Sequence, residues 1–196
     1  LIDFDVDWLI SNSSTYHSCN ITDIDVEEAL LSATNKPFAV YLTSPDYLGN
    51  ILPIDKIAKV CKRYNVPLLV DNAHGAYLKF INPSLHPIDL GADMCCDSAH
   101  KTLPSLTGAA YLHIANSTNS YYVDHAKEAL GLFGSTSPSY LILQSLDKTN
   151  LYLENNINSI NDFSKIIDAF KKELKDFGYT ILGNERMKIT IDAKAY

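Results

Sequence analysis

The chain has 196 residues, 46% of them hydrophobic and 20% charged, with a formal net charge of −7. That is enough for one ordinary domain with its own core, and too apolar for a disordered segment. The acidic balance and the lack of a basic run argue against a nucleic-acid surface; no apolar stretch reaches the roughly 18 residues that cross a bilayer, and no signal peptide opens the chain. The opening residue, Leu1, is expected to lie inside a longer protein.

In chain order, Asp25 is expected to cap a helix running to about Thr34, with Glu28 as its capping-box partner. Residues 38–42 form a short apolar strand that ends in the polar loop Thr43-Ser44-Pro45-Asp46. Ile54, Ile57, Ala58, Cys61 and Tyr64 recur at helical spacing, which predicts an amphipathic helix over residues 53–64. Residues 67–71, 92–97 and 109–114 are three further strands. Strands alternating with helices predict an α/β fold: a mostly parallel sheet flanked by helices.

The second half changes character. Ser137 and Pro138 suit the N-cap and first turn of a long helix. Its apolar stripe includes Ile157, Ile160, Phe163, Ile167, Phe170 and Leu174, and Gly178 closes it. Residues 179–182 and 187–191 look like strands of a second sheet with one wet face. Residues 1–150 are read as part of a large domain, and residues 151–196 as a linking helix and the start of a small α+β domain. Four cysteines, Cys19, Cys61, Cys95 and Cys96, lack metal-type spacing and are expected to be reduced structural thiols of a cytoplasmic protein. Cys95 and Cys96 are read as core, His113 as a satisfied core or edge histidine, and His86 and His125 as surface residues.

Ligands of open parallel sheets sit at the carboxyl ends of the strands. Residues 68–70 lead into Asp71-Asn72-Ala73-His74-Gly75, and residues 92–97 into Ser98-Ala99-His100-Lys101. Pyridoxal phosphate (PLP) chemistry needs an amine for a Schiff base, a carboxylate at the pyridine nitrogen, something small or flat against the ring, and donors for the phosphate. Lys101 is the candidate amine and Asp71 the carboxylate. Ala73 is small enough to lie under the ring, His74 can reach ring or substrate, and Ser98 and His100 are candidate phosphate donors. Asp71 with His74 could be half a metal site, but no third ligand is suitably placed, so no metal is expected.

The segments LLVDNAHGAYLKF, GADMCCDSAHKTLPSLTGAAYLHI and STSPSYLILQSLD resemble the bacterial ornithine/lysine/arginine decarboxylase family, of PLP fold type I, and YLTSPDYLGN is similar to the loop that precedes them there. The resemblance covers residues 38–147 strongly. It implies that Lys101 holds the cofactor as a Schiff base, that Asp71 pairs with the pyridine nitrogen, and that Ser98 and His100 help hold the phosphate. It also implies that Ser135 and Thr136 reach the neighbouring subunit's cofactor in a homodimer or higher oligomer. The activity implied is decarboxylation of lysine, arginine or ornithine to the amine. An aminotransferase or lyase activity on the same fold, or an inactive truncated remnant, are the alternatives. The sequence departs from the family at Asn72 (usually Glu), Tyr77 (His), Ala99 (Thr) and Gly108 (Gln). The family's phosphate loop and ring-stacking aromatic have no match within residues 1–35, so the isolated chain is expected to bind PLP weakly and to be inactive.

Overall fold

The computed structural model describes residues 4–10 and 20–193; Cys19 lies outside them. Helix α1 (Asp23–Ser32) starts earlier than the sequence pattern suggests. Its cap is Thr22, whose hydroxyl accepts from the Asp25 N–H while the Asp25 carboxylate accepts from the Thr22 N–H at 2.7 Å. Asp25 is thus the reciprocal third residue of the capping box and not its first, because a Thr-x-x-Asp pair satisfies two orphan donors at once.

Four strands make the main sheet: β1 (Val40–Thr43), β2 (Leu68–Asp71), β3 (Met94–Asp97) and β4 (Tyr111–Ile114), in that order across it. β1, β2 and β3 are parallel, and β4 runs antiparallel to β3. Helix α2 (Ile54–Tyr64) supplies the β1–β2 crossover and ends at Asn65, whose left-handed backbone (φ 59°) closes it. The β3–β4 link holds only the four-residue helix α3 (Ala99–Thr102), too short to carry the chain back along the sheet, so β4 returns antiparallel.

The two faces of the sheet differ. Side chains alternate along each strand, so Val40, Leu42, Leu68, Val70 and Cys95 point to one face. There they pack with Val26 of α1 and with Ile57, Val60 and Cys61 of α2. Tyr41, Asp71, Cys96 and Leu112 point to the other face, which the described residues leave open; Tyr41 is 63% exposed. Cys96 is therefore exposed, and the expectation that both adjacent cysteines are core holds only for Cys95.

A second core gathers the single helical turn Ala76–Lys79, α3 and the first part of the long helix α5 (Tyr140–Asp176), with Tyr77, Leu78, Leu103 and Leu153 buried. Ser139, not Ser137, caps α5, accepting from the Ile142 N–H. α5 has 37 residues and runs unbroken through residue 150, a length of about 55 Å. Most of its apolar stripe is only half covered, with Phe163 51% exposed. An unexpected helix, α4 (Ser120–Phe133), precedes it and buries none of its residues. After α5, Gly178 takes φ +96° as anticipated, and strands β5 (Ile181–Leu182) and β6 (Thr190–Ile191) pair antiparallel. Residues 183–185 then fold back onto the loop after β1. The Asn184 and Glu185 N–H groups both donate to the Gly49 carbonyl, and a Cβ at Gly183 would lie 2.6 Å from that oxygen. Only glycine permits this approach.

Candidate active site

β2 and β3 are neighbours, with Asp71 in register with Cys96, so the loops leaving their carboxyl ends start side by side. The β2 exit is a tight turn. Its Gly75 N–H donates to the Asn72 carbonyl, and a Cβ at Gly75 would overlap Asn72 Oδ1. That turn brings His74 over the β3 exit, where Lys101 sits on α3. Lys101 Nζ and His74 Nε2 are 3.3 Å apart.

Asp71 is held on both oxygens. Oδ1 accepts from the Ala73 N–H at 3.0 Å, and Oδ2 accepts from the Tyr41 hydroxyl at 3.4 Å. The half-buried His74 feels burial, then Lys101 and Lys188, all of which push its pKa below the ordinary value, against Asp71 and Asp46. It is therefore neutral at neutral pH, beside an exposed ammonium. Ser98 stands at the N-cap of α3 without a capping bond, and its hydroxyl has no hydrogen-bond partner among the described residues. His100 Nδ1 is 3.0 Å from the Ala109 carbonyl and must carry a proton to bond it. Its Nε2 can then donate to an anion only in the imidazolium form.

A cavity of about 330 Å³ opens beside the Lys101–His74 contact, and Asp71, Ala73, Ser98 and His100 are not among its walls. Its walls include His74 and Lys101, and also Tyr77, Glu185 and Lys188, which the sequence reading did not place there. Tyr77 and Glu185 are both buried, and the tyrosine hydroxyl donates to Glu185 Oε1 at 2.7 Å. Tyr77 was visible only as a departure from the family pattern. Glu185, 108 residues further on, had no local signal. Ser135 and Thr136 are not among the cavity's residues; they lie exposed between α4 and α5.

His86 is a correction: it is not a surface residue but 2% exposed, its Nε2 3.1 Å from Asp97 Oδ2. His113 Nε2 meets the same oxygen at 3.0 Å, in keeping with a satisfied edge histidine, and His125 is exposed as expected. Asp97 is ionised far below the usual carboxylate range, because bonds from His113, His86 and Asn72 outweigh the effect of burial.

Solved structures share this fold. The cysteine desulfurase of Thermococcus onnurineus superposes with a TM-score of 0.67 at 16% identity, over 90% of this chain and 48% of that one. The 4-hydroxyphenylacetaldehyde synthase of Rhodiola rosea does so at 0.66 and 21%, over 87% and 39%. The architecture is that of PLP enzymes of fold type I. The sequence comparison is narrower: the model of the Orn/Lys/Arg decarboxylase major domain matches residues 16–193, and the chain belongs to that family.

Among curated relatives, the uncharacterized protein YaaO of Bacillus subtilis is 37% identical over 134 residues, 67% of this chain and 28% of that protein. An arginine decarboxylase of Halalkalibacterium halodurans is 32% identical over 134 residues, 68% and 27%. The O-phospho-L-seryl-tRNA:Cys-tRNA synthase 2 of Methanococcoides burtonii is 32% identical over 100 residues, 49% of this chain and 24% of that protein. The chain thus spans about a quarter of the length of these relatives. Its cofactor is pyridoxal 5'-phosphate, and the residues present fit it: an exposed amine at Lys101, a held carboxylate at Asp71, a small Ala73 and a free Ser98 hydroxyl, all at the ends of β2 and β3.

Proposed function

We propose that the protein carrying this chain decarboxylates a basic amino acid, lysine, arginine or ornithine, to the corresponding amine. The observation that carries this reading is the 3.3 Å contact of Lys101 with His74, beside Asp71 and inside a chain of the decarboxylase family. When bound, the cofactor supplies an electron sink for the bonding pair left at Cα as carbon dioxide departs. The chain's own residues prepare and answer that step. His74, kept neutral, accepts a hydrogen bond from the Lys101 ammonium and holds that amine in place for imine exchange. Asp71, fixed by Ala73 and Tyr41, presents a carboxylate to the ring nitrogen. Ser98 offers a hydroxyl donor, and His74 or Lys101 would return a proton to Cα.

Two finer readings accompany it. Ser135 and Thr136, exposed and away from this chain's own cavity, are proposed to reach the cofactor site of a second subunit in a homodimer. Residues 151–196 are proposed to begin a small second domain, in line with their separate two-stranded sheet. The second reading is an aminotransferase or lyase activity on the same fold, and the similarity to an O-phospho-L-seryl-tRNA:Cys-tRNA synthase supports keeping it beside the first. Product analysis separates the two: the full-length protein incubated with lysine, arginine or ornithine releases carbon dioxide and an amine. A keto acid, or no carbon dioxide from any of the three, rejects decarboxylation. The isolated 196-residue chain is proposed to be inactive and to bind PLP weakly, because Ser98 and His100 are the phosphate donors identified near Lys101. Tight stoichiometric binding with turnover rejects that.

A further inference from the structure

A second group of ligating side chains lies on the opposite face of the sheet from Asp71. Cys95 and Asp97 share that face of β3 by strand alternation, and the register sets His113 of β4 directly across from Cys95. His86, in the segment leading to β3, closes over them. His86 Nε2, Asp97 Oδ2 and His113 Nε2 all lie within 4.8 Å of one another, and the two nitrogens are 3.1 and 3.0 Å from the oxygen. Cys95 Sγ is 3.7 Å from His86 Nε2 and 3.9 Å from Asp97 Oδ1.

These separations lie close to a ligand shell, with the nitrogen–oxygen contacts a few tenths of an ångström short and the sulfur–oxygen contact slightly long. Zinc binds nitrogen and oxygen at about 2.0–2.2 Å and sulfur at about 2.3 Å, which places tetrahedral ligand atoms about 3.3–3.7 Å apart. Hydrogen bonds alone leave a carboxylate 3% exposed between two imidazoles that, if neutral, do not cancel its charge. Buried charges are paired or coordinate metals. We propose that His86, Asp97 and His113 form a divalent-metal site of the zinc class, distinct from the Lys101 site, with the neighbouring Cys95 thiol as its fourth ligand. It would tie β3, β4 and the His86 segment together behind the turn that carries Lys101.

Access is through His113, whose side chain is 38% exposed. On binding, the Cys95 thiol proton leaves to solvent as the sulfur–metal bond forms, the Nε2 protons of His86 and His113 move to Nδ1 by tautomerisation as the nitrogen–metal bonds replace their bonds to Asp97, and no electron is transferred. Asn72 already supports the carboxylate from outside the shell, its Nδ2 donating to Asp97 Oδ1 at 2.7 Å. His86 Nδ1 has no partner among the described residues. A ligating imidazole usually donates from that atom, and lacking such support costs about ten- to a hundredfold in affinity, so the site is a moderate one.

Cobalt(II) is the probe. Chelator-treated full chain, titrated with cobalt(II), should take up a single equivalent. It should show the strong visible bands of a tetrahedral site and a near-ultraviolet thiolate band. Cys95→Ser should lose the near-ultraviolet band, and His113→Ala should weaken binding about tenfold or more, while Lys101→Ala leaves uptake unchanged. Circular dichroism establishes that each protein is folded; if Cys95→Ser does not fold, His113→Ala at the exposed edge decides. Absence of saturable uptake by the folded chain, or uptake undiminished in His113→Ala, overturns the site.

Discussion

Lys101 Nζ lies 3.3 Å from His74 Nε2 across 27 residues of sequence, and the contact helps set the protonation of the histidine. Burial, Lys101 and Lys188 lower the His74 pKa from 6.5. The folded state therefore binds this proton more weakly than the unfolded chain. The stability this contributes is present above about pH 6.5 and is lost as the pH falls through the folded value. A nuclear magnetic resonance titration of His74 should give a midpoint below 6.5. Lys101→Ala should raise it part of the way, because burial, the largest cause, remains. An unmoved midpoint would show that the two groups are not coupled.

The same lysine is the proposed anchor of the cofactor. In the full-length protein, Lys101→Ala should abolish the visible absorbance that borohydride removes. A variant that still shows a reducible imine would place the anchor on another lysine.

Asp71→Asn keeps the size of the side chain and can still accept from the Ala73 N–H, but it removes the charge. A preorganised electrostatic partner of this kind is worth about 3–4 kcal/mol in the transition state, so turnover of the full-length protein should fall by a factor of about 10²–10³. Cofactor affinity should fall less. Near-normal turnover would remove Asp71 from the ring nitrogen.

Tyr77 and Glu185 join the turn after β2 to the segment after α5, and their contributions differ in sign. Burial raises the Glu185 pKa, so its ionisation disfavours the fold as the pH rises above the ordinary value of 4.5. Glu185→Gln keeps an acceptor for the tyrosine hydroxyl without that charge and should leave stability at about pH 7 unchanged or higher. Tyr77→Phe strips the donor from a buried carboxyl and should cost about 1–3 kcal/mol. Thermal unfolding of the two variants should shift the midpoint in opposite directions or by clearly unequal amounts; equal losses would contradict the pairing.

Much of this was legible because the signals are local. Asp71 and Lys101 each follow an apolar strand and sit in short motifs, so their strand-end positions could be read directly. β4 was placed correctly as a strand, but its direction depends on how far a four-residue helix can carry the chain, which periodicity does not encode. α4 was missed since its apolar residues do not form one covered face. His86 read as surface because nothing in its neighbours reveals a partner 11 residues on; only packing of the loop under the sheet makes the Asp97 bond. The Tyr77–Glu185 pair is longer-range still.

Asn72 offers the sharpest test of that buried network. It is 0% exposed, and its amide donates to Asp97 Oδ1 at 2.7 Å. Related decarboxylases usually carry a carboxylate, Glu, at this position, as the resemblance implies, yet a carboxylate of Asn72's size would face Asp97 at hydrogen-bond distance. Asn72→Asp changes no size and replaces the donor with a like charge. Breaking a buried charged contact in this way costs about 3–5 kcal/mol. Asp97→Asn in the same chain would reverse the bond, with the amide on β3 and the carboxylate on the β2 turn. The double variant should therefore recover a large part of the loss, although an amide on β3 serves His86 and His113 less well than the native carboxylate. Denaturant unfolding of the wild type, both single variants and the double variant closes the cycle, and neighbours sharing one network should show an interaction energy of about 0.5–3 kcal/mol. Strictly additive losses would show that Asn72 and Asp97 are stabilised independently, and the charge of Asp97 would then rest on the two histidines alone.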